Sequence, residues 1–227
     1  MDSNDSTPPV WFRLPPGFHS FQNVSQEALT RIVSECVLPL LEGTPEADSL
    51  LGDTQVLAGA VDTLLGKGCA YLALGLHPDD AEGACASLFS LSTIRTAGPS
   101  PTVAAARAGI TLAKSPLWEA KRSTTLALPT GVSAAMVAGI FTPPLTEAQS
   151  TRPSPASTKV FQARLAMPYP CGSHVIVADL TSAATHYADA YTDILEAVAH
   201  TFSFTAPAPV SEFTGTAPTS RILEFLT

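Results

Sequence analysis

The last third of the chain constrains its fold most, because strand-like segments follow one another there and one long amphipathic segment closes the run. Apolar and polar residues alternate, as in half-buried β-strands, over residues 124–128, 133–141, 159–167 and 174–180. Five apolar residues then recur at helical spacing: Tyr187, Tyr191, Ile194, Leu195 and Val198. This pattern predicts an antiparallel four-strand meander that is closed by a helix over about 184–200.

The upstream sequence adds helices and a hairpin to this meander. Stripes of apolar residues at spacings of three and four predict helices over 25–41 and 53–65. A strand over 69–76 is expected to pair with 87–96 through a turn at 77–80. The predicted fold class is therefore α+β, an antiparallel β-sheet meander packed by amphipathic helices.

A third helix is expected to begin at Pro101, because proline is favoured at the first helical position. It should run to about Lys114. Its spacing of apolar residues predicts that Val103, Ala106 and Ile110 face inward.

The chain of 227 residues suits one domain with appendages. Residues 1–9 are polar and are expected to be disordered, and residues 10–205 form the single α+β domain. The stretch 142–158 is rich in Pro, Ser and Thr and predicts a mobile arm rather than a tight turn. Residues 206–227 are read as a proline-rich linker and an apolar tail.

Low charge density favours a protein partner. Only 14% of the residues are charged, against about 25% in ordinary globular domains, while 45% are hydrophobic. Ser, Thr, Pro, Ala and Gly must then cover much of the surface, which makes an apolar binding patch more plausible.

The net charge of −8 argues against nucleic acid and anionic membranes as partners. Lys121 and Arg122 are the only adjacent basic residues, and a solvated turn explains them. Neither a signal peptide nor an 18-residue apolar stretch is present, so the expectation is a cytoplasmic protein without membrane insertion.

Cys171 and His174 place a thiol and an imidazole near a turn, which is the beginning of a catalytic dyad. A nucleophile needs a base within hydrogen-bond reach and a third group that orients the base. Asp179 lies five residues beyond His174, so a strand would put the two side chains on opposite faces. A turn cysteine and a surface histidine are the favoured interpretation.

His186, Asp189 and Asp193 share one helix face and could hold a metal ion. No second pair of ligands accompanies them, so a solvated polar face is favoured. The four cysteines form no C-x-x-C motif, and no cofactor or metal is predicted.

Three segments carry a resemblance to a known family: the opening Trp-Phe-Arg-Leu-Pro-Pro-Gly-Phe at 11–18, the hairpin at 159–180 and the closing helix with its Thr-Phe-Ser-Phe end at 187–204. They resemble the Mog1/PsbP-like α/β/α sandwich proteins. The alanine-rich, lysine-poor composition resembles that of actinobacterial proteins. The resemblance implies a non-enzymatic binding function, as in adaptors, assembly factors and chaperones, and it transfers no functional residue.

The sequence thus predicts a non-enzymatic, cytoplasmic protein-binding module, adaptor or chaperone-like, with a role in secretion or assembly. Its partner is another protein or a second copy of itself. One alternative is a structural subunit of an assembly that docks through its C-terminal tail, and another is a small hydrolase or transferase that uses Cys171 and His174. The predicted protein-binding residues are Trp11, Phe12, Ile222, Leu223, Phe225 and Leu226.

Overall fold

A computed structural model describes residues 9–21, 68–79, 83–95, 100–114, 118–142, 159–170 and 174–206. Several predicted features lie outside these ranges: the helices over 25–41 and 53–65, Cys171, and all but one residue each of the arm at 142–158 and the tail at 206–227.

The described strands form one antiparallel sheet of seven strands. Their bounds in chain order are β1 Phe18–Ser20, β2 Cys69–Asp79, β3 Gly83–Arg95, β4 Trp118–Ala127, β5 Ser133–Phe141, β6 Val160–Pro168 and β7 His174–Ser182. The spatial order is β1-β2-β3-β7-β6-β5-β4. The hairpin β2–β3 therefore joins the meander β4–β7 through pairing of β3 with β7. The predicted α+β class and the meander are confirmed.

Two expected turns are in fact parts of strands. The stretch 77–80 was expected to turn, yet β2 continues to Asp79, because His77 and Asp79 pair with Cys85 and Gly83 of β3. The solvated turn expected at residues 121–122 is likewise wrong. Both residues lie within β4, where their exposed side chains point to opposite faces of the sheet.

The helix that begins at Pro101 is confirmed, and we call Pro101–Lys114 α1. Its predicted inward face is wrong, since Ala106 is exposed and the side chains of Val103 and Ile110 are 56% and 55% exposed. The buried residues are instead Ala105 and Gly109. A Cβ atom on Gly109 would lie less than 3.0 Å from the Cβ of Ala135 in β5, so only a face of small residues lets α1 approach the sheet this closely.

The closing helix, α2, spans Ala188–His200 and is preceded by a short 3₁₀ turn. Its predicted stripe is confirmed, with Tyr191, Leu195 and Val198 buried against the sheet. Both helices lie over the meander but on opposite faces. The face that meets α2 carries, among others, Leu165 and Ile176, and the face that meets α1 carries their neighbours Ala166 and Val175.

The two ends of the described chain meet beside α2. The N–H of Trp11 donates to the carbonyl oxygen of Ser203 at 2.9 Å, and the reverse bond is 2.8 Å. These two bonds form an isolated antiparallel bridge between Trp11 and Ser203. Phe12 packs against the rings of Tyr71, Phe89 and Phe202 at centroid distances of 4.9, 5.5 and 5.4 Å.

Within the described ranges, neither helix combines the length and apolar character that a membrane crossing requires.

Candidate binding cleft beside the β4 edge

A cleft of about 320 Å³ lies between α1 and the β4–β5 end of the sheet. The helix wall consists of Ala106, Gly109, Ile110 and Ala113. The sheet contributes residues 123–125 of β4 and 133–137 of β5. Most of the lining side chains are small, because α1 approaches the sheet through alanine and glycine.

Three β4 side chains lie on the α1 face of the sheet. Alternation along the strand puts Lys121, Ser123 and Thr125 on the same side, and Ser123 and Thr125 line the cleft. All three side chains are exposed. The wall of the cleft formed by β4 therefore carries two exposed hydroxyl groups.

The outer edge of β4 is open in the part of the chain that the structure describes, because β4 is the terminal strand of the sheet. The N–H of Leu128 donates to the carbonyl oxygen of Val132 at 3.0 Å. This bond shows which residues of β4 turn their main-chain groups towards β5. In an antiparallel pair, every second residue turns its N–H and C=O away from the partner strand. Ser123, Thr125 and Ala127 therefore present their main-chain groups to the open edge.

Among the described residues, the charged side chains next to the cleft are mostly basic. Arg107 and Lys114 lie three and four residues from Ile110, so they are its neighbours along the exposed side of α1. Lys121 lies on the same side of β4 as the cleft residue Ser123, two positions away. Glu119 is the only acidic residue in α1, β4 and β5.

That carboxylate already has a partner. Lys159 donates to Glu119 at 2.7 Å, and this hydrogen bond with its charge lowers the pKa of Glu119. Arg122 points to the other face of the sheet, where it lies 3.6 Å from Asp189 at the start of α2.

A charged pair lies on the α1 face of the inner strands. Arg164 of β6 bonds to Asp179 of β7, its direct cross-strand neighbour. Burial raises the pKa of Asp179, and the bond and charge of Arg164 oppose that rise. Across the next two strands, Arg164 pairs with Val137 of β5, and Val137 pairs with Ser123 of β4 at the cleft.

A second polar cluster lies on the α2 face, where sequence reasoning did not predict one. The Nε2 atom of His77 lies 3.0 Å from the hydroxyl of Ser87, and the thiol of Cys85 lies 3.3 Å from the hydroxyl of Tyr191. Burial lowers the pKa of His77. Ser87 is only 2% exposed, so its hydroxyl is enclosed by protein, and we interpret the cluster as a structural one. The hairpin register, which pairs residue 77 with 85, was the signal that could have found it.

The predicted site residues are not brought together. Trp11 and Phe12 border a separate cleft of about 360 Å³ with Arg13, Thr201 and Ser203. Phe12 also packs on the core, as described above. The rest of the predicted protein-binding set lies outside the described residues: Ile222, Leu223, Phe225 and Leu226.

The expectation of a surface His174 is wrong, because this residue is 8% exposed at the start of β7, where β3 flanks it. Its candidate partner, Cys171, lies outside the described residues. Asp189 of the possible metal face is ion-paired with Arg122, and the ring of His186 lies 4.3 Å from that of Tyr187. The described residues include no group of three or more His, Cys, Asp or Glu that could hold a metal ion.

Sequence reasoning missed the cleft because its lining carries no chemical signature. Alanine, glycine, serine and threonine are common on any surface, and the contact between α1 and β5 is a tertiary one. The useful signal was the small size of the side chains along α1, where alanine or glycine stands at 104–106, 108–109 and 113.

The described residues thus form an α+β fold, with one antiparallel sheet and a helix on each of its faces. No protein-family model matches the chain, and no curated protein matches it. Among solved structures, it is similar to the crystal structure of LpqN, involved in cell envelope biogenesis of Mycobacterium tuberculosis. The similarity covers 89% of this chain and 86% of that chain, at 12% sequence identity and a TM-score of 0.46. This likeness concerns the path of the backbone and carries no functional inference.

Proposed function

We propose that this protein is a non-enzymatic binding module that captures an extended segment of another protein as an additional strand on β4. The observation that carries the proposal is that β4 is the terminal strand of the sheet among the described residues and lies directly beside a cleft under α1. Sheet edges bind extended peptides through main-chain hydrogen bonds, and pockets for alternate side chains give specificity.

The two features act together in this proposal. Ser123, Thr125 and Ala127 offer outward N–H and C=O groups, which an added strand would use. Every second side chain of that strand would point to the α1 face, because side chains alternate along a strand. The small lining residues Ala106 and Ala113 leave the space that one such side chain needs.

The predicted Mog1/PsbP-like relationship remains part of this proposal. In the described ranges, a sheet with one helix on each face supports it, as does the pattern of four strands followed by a helix. An adaptor or chaperone-like role, in secretion or assembly, fits a module that grips extended chain. The cytoplasmic location also remains a prediction.

The test is selection from a library of random ten-residue peptides, the length of β4, followed by fluorescence anisotropy with the enriched peptides. Thr125→Pro removes one outward N–H while sparing the bonds to β5, and proline is tolerated on edge strands. Ala106→Trp fills the cleft from the helix. We expect each change to weaken binding at least about tenfold, an effect of about 1.4 kcal/mol.

Thr111→Trp is the matched control, since Thr111 is an exposed residue of α1 that does not line the cleft. The melting temperature of each variant shows that it is folded. Failure to enrich any peptide, or equal binding by wild type and both cleft variants, would refute strand addition at β4.

The alternative of a structural subunit shares one observation with this proposal, because the open β4 edge could also pair with a second copy of the chain. Light scattering distinguishes the two, and deletion of 206–227 tests the predicted role of the tail. A protein that stays monomeric at high concentration would argue against self-assembly. Burial of His174 counts against the hydrolase alternative, and the reactivity of Cys171 towards thiol reagents tests it directly.

A further inference from the structure

We infer that residues 222–226 of this chain, Ile-Leu-Glu-Phe-Leu, dock on the β4 edge and in the cleft beside it, so that a foreign segment must displace them. We call these residues the tail segment. The inference rests on the proposed function and adds an internal competitor to it. Two observations support it: an apolar surface where α1 reaches the β4 edge, and an apolar segment of the same chain that can reach that surface.

The end of α1 reaches the edge of the sheet because the helix crosses the strands. Ala105 packs on residues of β6 and β7, and one turn later Gly109 meets Ala135 of β5. A further turn brings Ala113 to β4, where it lines the cleft. A strand added outside β4 would therefore lie next to the last turns of α1 rather than along the whole helix.

That end of α1 presents apolar side chains to the cleft. Ile110 is 55% exposed, and Ala106 and Ala113 accompany it at helical spacing. An exposed isoleucine is ordinary on a protein surface. One that lines a cleft beside a terminal strand, however, gives an added strand an apolar side chain to pack against. The occupant should therefore carry large apolar side chains on the face that it turns to α1.

The tail segment meets this requirement. Four of its five residues are large and apolar, and isoleucine and phenylalanine are favoured in strands. Side chains alternate along a strand, so Leu223 and Phe225 would share one face and Glu224 would lie on the other. The face with Leu223 and Phe225 is the one that fits α1. The reverse orientation would hold the carboxylate of Glu224 against Ile110, and an unpaired charge is costly to bury.

The described chain ends close enough for this docking. Phe204 packs on Tyr169 at a centroid distance of 4.9 Å, so the described chain ends near the end of β6. The cleft lies at the same end of the sheet, because its residue Ala135 pairs with Ala166 of β6. Two strand spacings of about 4.8 Å separate β6 from β4. Residues 207–221 can span up to about 50 Å, at about 3.3 Å per residue, which is enough to pass around the end of the sheet.

Other segments outside the described residues fit the edge less well. The stretch 142–158 follows β5 directly, but its only large apolar residue is Leu145, and four of its residues are prolines, which cannot donate to a strand ladder. The helices predicted over 25–41 and 53–65 carry their apolar residues at helical spacing. Tethering also favours the tail segment, because a linked segment meets its site at an effective concentration on the order of 1 mM.

The first experiment measures amide hydrogen exchange by NMR in the full chain. The N–H groups of Ser123, Thr125 and Ala127 point out from the edge, so an added strand that accepts them should slow their exchange. The double change Leu223→Ser with Phe225→Ser removes the side chains that would pack on α1. We expect it to speed exchange of these outward N–H groups at least about tenfold.

Two controls accompany this measurement. The N–H groups of Thr124 and Leu126 point to β5, so their exchange should stay the same in the double variant. Phe213→Ser removes an aromatic ring from the same part of the chain but outside the tail segment, and it should leave the outward N–H groups slow. The melting temperature of each variant shows that it is folded.

The second experiment uses a labelled peptide with the sequence of residues 219–227 and measures its binding by fluorescence anisotropy. The double variant should bind this peptide about tenfold more tightly than the wild type, because the internal competitor is removed. Peptides selected on the β4 edge should gain affinity in the same way. Ala106→Trp, added to the double variant, should weaken binding of the 219–227 peptide at least about tenfold, whereas Thr111→Trp should not.

The outcomes separate the two proposals. Selected peptides that bind the wild type and the double variant equally, with fast exchange of the outward N–H groups in both, would overturn docking of the tail segment and leave strand addition intact. Absence of binding by the 219–227 peptide and by every selected peptide would count against both. Slow exchange that is lost on dilution, together with a dimer in light scattering, would assign the docked segment to a second copy and overturn docking within one chain.

Discussion

Asp179 shows how a single carboxylate fits into the sheet of this protein. Its side chain is only 16% exposed, and its partner Arg164 is 32% exposed. Burial raises the pKa of Asp179 from its ordinary value of 3.8, while Arg164 holds the rise in check. Because the pKa is raised, the folded protein binds this proton more tightly than the unfolded chain does. Asp179 therefore contributes to stability at acid pH, and that contribution is lost as pH rises through the raised pKa.

Arg164→Met should therefore destabilise the protein in a pH-dependent manner. Without the guanidinium, the carboxylate is buried with no compensating charge, and its pKa rises further. We expect a loss of about 1–3 kcal/mol near neutral pH, reduced from the value for fully buried pairs because Arg164 reaches solvent. The loss should shrink as pH falls through the raised pKa, because Asp179 then takes up a proton. Urea unfolding at several pH values measures it.

The control for this prediction is Asp179→Asn, which removes the charge and leaves Arg164 able to reach water. At neutral pH, this variant should lower the free energy of unfolding less than Arg164→Met does. A loss in Arg164→Met that does not vary with pH would mean that its cause is lost packing rather than the unpaired carboxylate.

Among the elements, those with a clear local pattern were predicted best. The alternation in β5 and β6 is a local property, so the predicted bounds agree with the structure within one residue. The pairing of β3 with β7 joins distant segments, and no local pattern specifies it. The inward face of α1 was predicted from its larger apolar residues, whereas close approach to the sheet selects the smallest ones. The cleft follows from that approach, so it too lay beyond a sequence pattern.

The contact between α1 and β5 should tolerate no added carbon atom. Gly109→Ala gains about 1 kcal/mol of helix propensity. It also places a Cβ against the Cβ of Ala135, and overpacking of this kind costs about 1–3 kcal/mol. We expect net destabilisation in urea unfolding and altered peptide binding, because α1 must move away from the sheet.

Ala135→Gly should relieve this clash. The double variant has the same number of side-chain carbon atoms at this contact as the wild type, because one methyl group is added on the helix and one is removed from the strand. It should therefore be more stable than Gly109→Ala alone. Additive losses in the two variants would show that the helix and strand do not meet at these residues.

At the scale of the whole molecule, Phe12 joins the beginning of the described chain to its end. Its ring contacts Phe89 in the sheet and Phe202 after α2, while Arg13 and Thr201 are linked by a hydrogen bond across 188 residues. Aromatic residues of this kind contribute a large share of core stability because they bury a large apolar area.

Phe12→Ala should accordingly lower the free energy of unfolding by about 2–4 kcal/mol, somewhat less than full burial would give because Phe12 is only partly buried. Phe12→Leu should recover much of the loss. The measurement also tests the predicted role of Phe12 in protein binding. An unchanged unfolding free energy together with weaker partner binding would favour that role over a structural one.

The pairing of β3 with β7 has a consequence for synthesis on the ribosome. The hydroxyl of Ser182 in β7 bonds to the carbonyl oxygen of Ala86 in β3, and 96 residues separate the two. At about 5–20 residues per second, the nascent hairpin β2–β3 waits roughly 5–20 s for the strand that will cover its edge. During those seconds the emerging chain displays an unsatisfied β-edge to every other nascent chain nearby. The interval is longer than most folding steps of small domains, so translation speed through residues 96–174 should influence how much of this protein reaches its native state.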